Sequence, residues 1–486
     1  MSAFYIILTT ALYFLLLFVV SRKAGGAGGQ RYVFPGQQTV ALVGRGVRHD
    51  RSFVVGREFR VGTGNGTGRG YDLHADVCRF LFWVSRSGFV LLPLYYKLNL
   101  TSIYTYLDVR FGKTAYRTGA SFFLLSKMLG AAARLYLVCL ILQNYVFGSM
   151  GVPFEITAAG TVFLIWLYTF RGGIKSLVWT DALQTLCLIT ALVLILYQLC
   201  RLNDFTVTEA IWHVTESPYG RWIEWDDWTS RQHFAKQFFS GVFIVIVMTG
   251  LDQDMMQKNL TCKNLRDAQK DMCSYGFSFI PLNMLFLGMG ILLLALASRE
   301  GIALPVKGDD ILPLFCAEGY LGNEVLVLFT IGIIAAAFSS ADSALTALTT
   351  SFCVDILDVE RRFARSEAVR KRVHGVIALL FVGFILCFEA VNDSSVIDAI
   401  YVVASYTYGP LLGLFAFGMF TRRKPWSAAV PWICVTAPVC CYLLDVWTVS
   451  IYGYRFGYEL LMLNGLFTFM GLYAFSKAYS PGMDKR

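Results

Sequence analysis

Long apolar runs separated by short polar turns recur along almost the whole chain. A helix crossing a bilayer's hydrocarbon core needs about 20 apolar residues. On that measure helices are predicted near residues 3–20, 119–148, 153–170, 178–199, 235–251, 274–297, 325–350, 374–390, 397–420, 427–447 and 459–477, and a further one ends near Tyr96. The first run has no charged segment before it and is followed by Ser21, Arg22 and Lys23, which predicts a retained helix rather than a cleaved signal peptide. With 56% hydrophobic and 15% charged residues over 486 positions, the pattern predicts an all-α polytopic membrane protein.

One run departs from the others. Ala335 to Leu357 is apolar enough for a membrane helix, yet it holds Ser339, Ser340, Asp342 and Ser343 within five residues. A lone serine satisfies itself on its own helix's carbonyls. A carboxylate with three hydroxyls is costly in lipid and is kept where it faces a bundle interior or an ion path, so this cluster is the leading candidate site.

The net charge of +9 invites a nucleic-acid partner, but the distribution of the charge excludes one. Basic residues gather in alternate connections: Lys97 to Arg117, Arg171 with Lys175, Lys258 to Lys270, Arg361 to Arg372, Arg422 to Lys424, and the tail from Lys477. The connections 202–228 and 300–323 are acidic or nearly neutral. This positive-inside pattern predicts a cell (inner) membrane protein with its N-terminus outside and its C-terminus in the cytoplasm, hence an odd number of crossings.

Twelve cysteines stand without a CxxC pair and five histidines are scattered, so they read as packing residues rather than metal ligands. No catalytic constellation and no GxxxxGK[ST] phosphate loop is present, which argues against an enzyme and against a self-contained ATP-driven pump.

Between Gly29 and Gly88 the chain changes character, with nine arginines, no lysine and many glycines. A flexible loop is one reading. It conflicts with topology, because Arg22 and Lys23 and the basic stretch after Tyr96 are both expected inside, and two crossings must separate them. The other reading is translation out of frame. Read one base downstream with permitted codons, residues 30–89 can encode two apolar helices, and one of the recovered stretches is SLSGVNFVSVPG; the count then reaches about 13. On that reading this copy is open to being inactive.

Lys127 and Arg134 lie two helical turns apart on one face of a predicted span. Lys127 is expected to snorkel to the interface. Arg134, deeper within GAAARLYL, either receives a substrate carboxylate through paired hydrogen bonds or pairs with a structural acid.

Four separated motifs resemble the sodium:solute symporter family, relatives of the sodium/glucose, sodium/proline and sodium/sialic acid carriers. They are YTYLDVRFG at Tyr104 to Gly112, YTFRGGIKSLVWTDALQ at Tyr168 to Gln184, GLDQDMMQKNLTCKNLRDAQK at Gly250 to Lys270, and the serine-rich helix itself. Asp252 stands where the family usually has Asn, Lys258 where it has Arg, and Asp342 where it has Ser. The resemblance covers residues 90 to 420. It implies a LeuT-like fold of two inverted five-helix repeats, with solute and sodium held near the midplane at two broken helices. The first broken helix falls in the aberrant segment, and the second is the span before Asp252, where Gly241 and Gly250 permit an unwound turn.

By the same resemblance, Ala336 lends a carbonyl and Ser339 and Ser340 their hydroxyls to a sodium ion. Asp181, Ser339, Asp342 and Ser343 form a second site, where Asp342 either strengthens sodium binding or takes up protons. Asp181 has the alternatives of a helix cap or a gate group. Arg134, Gln184, Asp252 and Gln253 are candidates for solute contact or gating.

The expected organisation is a first helix over 1–24, the aberrant segment over 25–89, the rest of the first repeat over 90–200, a second repeat over 233–420, and two extra helices with a cytoplasmic tail over 421–486. The expected function is sodium-coupled symport of a small organic solute by alternating access, in the lipid bilayer, by a monomer or weak oligomer. Two rivals stay open: a proton-coupled carrier of the same fold, and a solute-sensing receptor, against which stands the chain's end soon after Lys477.

Overall fold

The computed structural model describes residues 3–25, 88–98, 100, 102–217, 234–260, 262–305, 311–359, 366–391, 396–454, 456–457 and 459–478. Almost all of it is helix. In chain order the elements are α1 (Ala3–Gly25), α2 (88–97), α3 (Thr105–Phe111), α4 (Lys113–Leu142), α5 (Phe154–Leu202), α6 (Val207–Glu216), α7 (Phe234–Val245) and α8 (Gln253–Leu260). They continue with α9 (Leu265–Glu300), α10 (Ile311–Ala317), α11 (Asn323–Ser351), α12 (Ser366–Val391), α13 (Val396–Phe420), α14 (Ala429–Tyr452) and α15 (Glu459–Ala474). Two short strands, β1 (Arg423–Pro425) and β2 (Ser476–Ala478), pair antiparallel at one end.

Among the described residues six helices are long and apolar enough to cross a membrane, and α7 with α8 makes a seventh if that bent pair is one crossing. Shorter apolar helices lie at Ala11–Ser21, Phe154–Phe170 and Glu459–Ala474. The elements fall on the predicted runs because in lipid only a helix satisfies every backbone group within its own segment. The helices expected within residues 25–89 lie outside the described residues apart from α2.

One connection differs from expectation. The loop predicted between the runs at 153–170 and 178–199 has helical backbone, so α5 spans 49 residues, but it is not one straight rod, because Tyr168 and Asp181 both reach side chains one turn apart on α11. No proline interrupts residues 171–179, and nothing in the backbone forces the hydrogen-bond ladder to stop there.

Two local devices position the bundle. At the joint between α3 and α4, Gly112 has φ 90° and ψ 177°, a conformation that side chains disfavour, which turns the short α3 against the start of the long α4. In α13, Pro410 has no N–H to give to the carbonyl of Tyr406. Asn464 on α15 supplies the missing donor, its Nδ2 standing 2.9 Å from Tyr406 O and 3.0 Å from Ser405 O. Close approach makes this possible: a Cβ at Gly413 would lie 2.7 Å from Gly465 O, so small residues let the two backbones meet.

The core centres on α11, which packs against α5, α4, α12 and α1, while α13 packs against α4 and α15. Tyr95, Tyr104, Phe123, Phe286, Phe338 and Phe415 are fully buried there.

Candidate ion and solute site

The crossing formed by α7 and α8 is interrupted. A π-helical turn, Ile246–Gly250, closes α7, and α8 leaves at 55° to it. Such a break frees backbone carbonyls that lipid cannot satisfy. Two tyrosines take them: Tyr95 OH donates to Gly250 O at 3.0 Å and Tyr104 OH to Leu251 O at 2.9 Å. Gln253 Oε1 accepts from the Ile103 N–H at 2.9 Å, tying the joint to the segment between α2 and α3. Asp252 opens α8, its Oδ1 accepting from the N–H of Asp254 at 2.8 Å and of Met255 at 3.4 Å, where a carboxylate also meets the positive end of the helix dipole. Gly241, expected to share in the unwinding, stays within α7. The polar partners for freed backbone groups stand at the level of Gly250 to Gln253.

The carboxylates of the joint carry buried cations. Lys127 on α4 approaches Asp252 Oδ2 at 3.1 Å and Asp254 Oδ2 at 2.9 Å. It is 5% exposed, which corrects the expectation that it snorkels: two acids reached across the bundle hold its ammonium inside more strongly than an interface would draw it out. Tyr408 OH on α13 donates to Asp252 Oδ2 at 3.2 Å. Lys258, one turn along α8, lies 3.7 Å from Asp254 Oδ1 and donates to Ser343 Oγ at 2.7 Å. Arg134 sits within electrostatic reach of Tyr408, Asp252 and Asp254, yet among the described residues its Nε has no hydrogen-bond partner.

The serine cluster is placed as its spacing implies. Ala336, Ser339, Ser340 and Ser343 recur at three- and four-residue steps, so they share one face of α11, and all are buried. Ser339 Oγ donates to Asp181 Oδ1 on α5 at 2.8 Å. Asp342 is fully buried and its Oδ2 accepts from Tyr168 OH at 2.8 Å. Asp181 Oδ2, Asp342 Oδ1 and both side-chain polar atoms of Gln184 are buried with no hydrogen-bond partner among the described residues. Gln184 is three residues beyond Asp181 and shares its face of α5.

Buried orphan oxygens are costly, and carboxylate, hydroxyl and carbonyl oxygens are the hard donors that small cations take. The set Asp181, Ser339, Asp342 and Ser343 therefore fits a monovalent cation. Ala336 and Ser340 belong to the same face, and the other half of the site expected for them lies in residues 25–89, outside the described residues.

Tyr95, Tyr168 and Tyr408 were not singled out by the sequence, although Tyr168 begins the motif that contains Asp181. A tyrosine in an apolar run is common, and only the position of its hydroxyl separates these three from packing residues. No group of three or more His, Cys, Asp or Glu suited to a metal occurs among the described residues.

A bundle of apolar helices with one crossing broken at a polar joint, and buried carboxylates beside the break, fits a secondary transporter of the LeuT-like class. The chain belongs to the sodium:solute symporter family, whose profile matches residues 51–430. The match begins inside the Gly/Arg-rich segment, upstream of the motifs described above. The chain is 27% identical over 349 residues to the sodium/sialic acid symporter NanT of Aliivibrio fischeri, covering 70% of this chain and 67% of the relative. It is 26% identical over 356 residues to the sodium/sialic acid symporter SiaT of Proteus mirabilis, covering 71% and 70%. Its fold matches a solved Na+-coupled sialic acid symporter with a TM-score of 0.80 at 19% identity, over 98% of this chain and 99% of the other. It is a multi-pass membrane transporter, not an enzyme.

Proposed function

We propose that this protein couples inward movement of sodium to uptake of a small organic solute by alternating access, with the ion bound on the polar face of α11. The observation that carries the site is the buried contact of Ser339 with Asp181 beside the orphan oxygen of Asp342. Sodium there ties α11 to α5. A second ion is held by the Ala336 carbonyl and the hydroxyls of Ser339 and Ser340, together with carbonyls of the first broken helix. Ion and solute favour the same conformation, so each raises the affinity for the other.

The repeats run over 90–200 and 233–420 after the aberrant segment, and two further helices follow over 421–486. The positive-inside pattern puts the N-terminus outside and the C-terminus in the cytoplasm. Arg134 is the group for an acidic solute. It points no hydrogen bond from Nε at any described acid, the two named relatives carry sialic acid, and a guanidinium suits a carboxylate. Gln253 and Asp252 act as gate groups, since both hold the joint between α7 and α8.

The test is uptake of sialic acid and a panel of labelled carboxylates, sugars and vitamins into proteoliposomes with and without an inward sodium gradient. Sodium-dependent accumulation of one of them is expected. Accumulation driven by a pH gradient in the absence of sodium overturns sodium coupling, and saturable binding without accumulation selects a receptor.

A further inference from the structure

Two buried charges on different helices, Lys258 and Asp342, come together. The Lys258 ammonium rests on Ser343, the residue after Asp342, at 2.7 Å. Lys258 is 8% exposed and sits on α8, just past the break, whereas Ser343 is on α11. Its charge acts on Asp342 directly. A second partner, Asp254 Oδ1, lies one turn back on its own helix at 3.7 Å. An ammonium gains more from a carboxylate than from a hydroxyl; here the shorter contact is nevertheless the hydroxyl, on the side that faces the Asp342 carboxylate.

The formal charge of the cluster leaves room for one further cation. Asp181, Asp252, Asp254 and Asp342 are buried, and the cations set among them are Lys127, Lys258 and Arg134. Among these described residues, with all seven groups ionised, four negative charges face three positive ones. Unbalanced charge is expensive inside a membrane protein, and one monovalent cation closes the difference.

We infer that Lys258 is a tethered cation that competes with sodium for the Ser343 end of the site. In one arrangement its ammonium lies on Ser343 and offsets Asp342. When sodium enters between Asp181 and Asp342, it takes the Ser343 hydroxyl, and the ammonium swings back to Asp254. Asp254 then shares its carboxylate between Lys258 and Lys127, so ion occupancy is felt at the joint between α7 and α8. No bond is made or broken, and on that count sodium takes the cluster from one net negative charge to neutrality. Lys258 thus sets sodium affinity and helps to expel the ion at release. The inference rests on the proposed sodium site of Asp181, Asp342 and Ser343, and none of its groups lies in residues 25–89.

The test is binding of 22Na+ to the purified full-length protein in detergent, which needs no transport. Lys258→Gln is expected to bind sodium about tenfold more tightly, equivalent to 1.4 kcal/mol, because the competitor is gone. Lys258→Arg, which keeps the charge, is expected to stay close to wild type. Asp254→Asn is expected to weaken binding about tenfold in the wild-type background, because the ammonium loses its resting place, and to have little effect in the Lys258→Gln background. Equal or weaker sodium binding by folded Lys258→Gln overturns the inference. If Lys258→Gln does not fold, unchanged binding by Asp254→Asn overturns it. If wild-type binding is indifferent to Asp342→Asn, the underlying sodium site fails instead, and the two failures are thereby distinguished.

Discussion

Ser339 on α11 donates its hydroxyl hydrogen to Asp181 on α5 across 2.8 Å, joining residues 158 positions apart in the chain. A single hydroxyl can hold only one proton, so while it serves Asp181 its lone pairs remain available to a cation. Asp181 keeps a second oxygen on the same buried spot that has no hydrogen-bond partner among the described residues. The contact therefore brings the two helices together and leaves their oxygens poised for an ion.

Replacement of Ser339 and Ser340 together by Ala removes both hydroxyls without adding bulk. Sodium-dependent uptake is expected to disappear at normal membrane expression, and Ser339→Ala alone is expected to raise the sodium half-saturation by about tenfold, the loss of one ligand worth roughly 1.4 kcal/mol. A sodium titration of uptake checks both. Unchanged dependence removes α11 from the ion site.

Asp342 separates sodium from proton coupling. Asp342→Ser keeps a hydroxyl oxygen at this position and removes the carboxylate of α11's polar face that is able to carry a proton. If sodium is the coupling ion, uptake stays sodium-driven with an altered half-saturation. If Asp342 is a proton relay, the variant loses uptake driven by a pH gradient. Comparing the two gradients in proteoliposomes decides between them.

Lys127 offers a stability measurement. Lys127→Met leaves Asp252 and Asp254 without their nearest cation, and breaking one side of a buried ion pair costs about 3–5 kcal/mol. The melting temperature in detergent is expected to fall clearly. Asp252→Asn in the same chain removes one of the two charges left without a partner and is expected to recover part of the loss. Independent, additive losses would mean that the pair does not interact as the geometry implies.

The crossings were legible because bilayer thickness dictates the length of an apolar run, and α4, α9, α11, α12 and α14 fall where the runs lie. The polar face of α11 was legible too, since four polar groups in five residues have no cheap place in lipid. The charge lattice was not. Lys127 finds Asp252 at a separation of 125 residues, and a lysine in an apolar run looks the same whether it snorkels or pairs. Asp252 stood out as a departure from its motif, but its role as the cap of α8 depends on a 55° bend that Gly250 permits without announcing. The hydroxyls of Tyr95 and Tyr104 were silent for the same reason: their carbonyl partners are freed only by that break.

Asn464 and Pro410 give the most discriminating test of how the last helix is held. Asn464→Leu withdraws the amide that serves the Tyr406 carbonyl, which Pro410 has left without its usual helical donor. An unpaired buried carbonyl costs about 1–3 kcal/mol, so the variant is expected to melt earlier in detergent. Pro410→Ala gives Tyr406 an N–H from its own helix, and in that background the amide is no longer needed for this carbonyl. Asn464→Leu is therefore expected to cost measurably less beside Pro410→Ala than alone, and equal costs in the two backgrounds would show that Asn464 stabilises the contact by packing and not by repairing the helix.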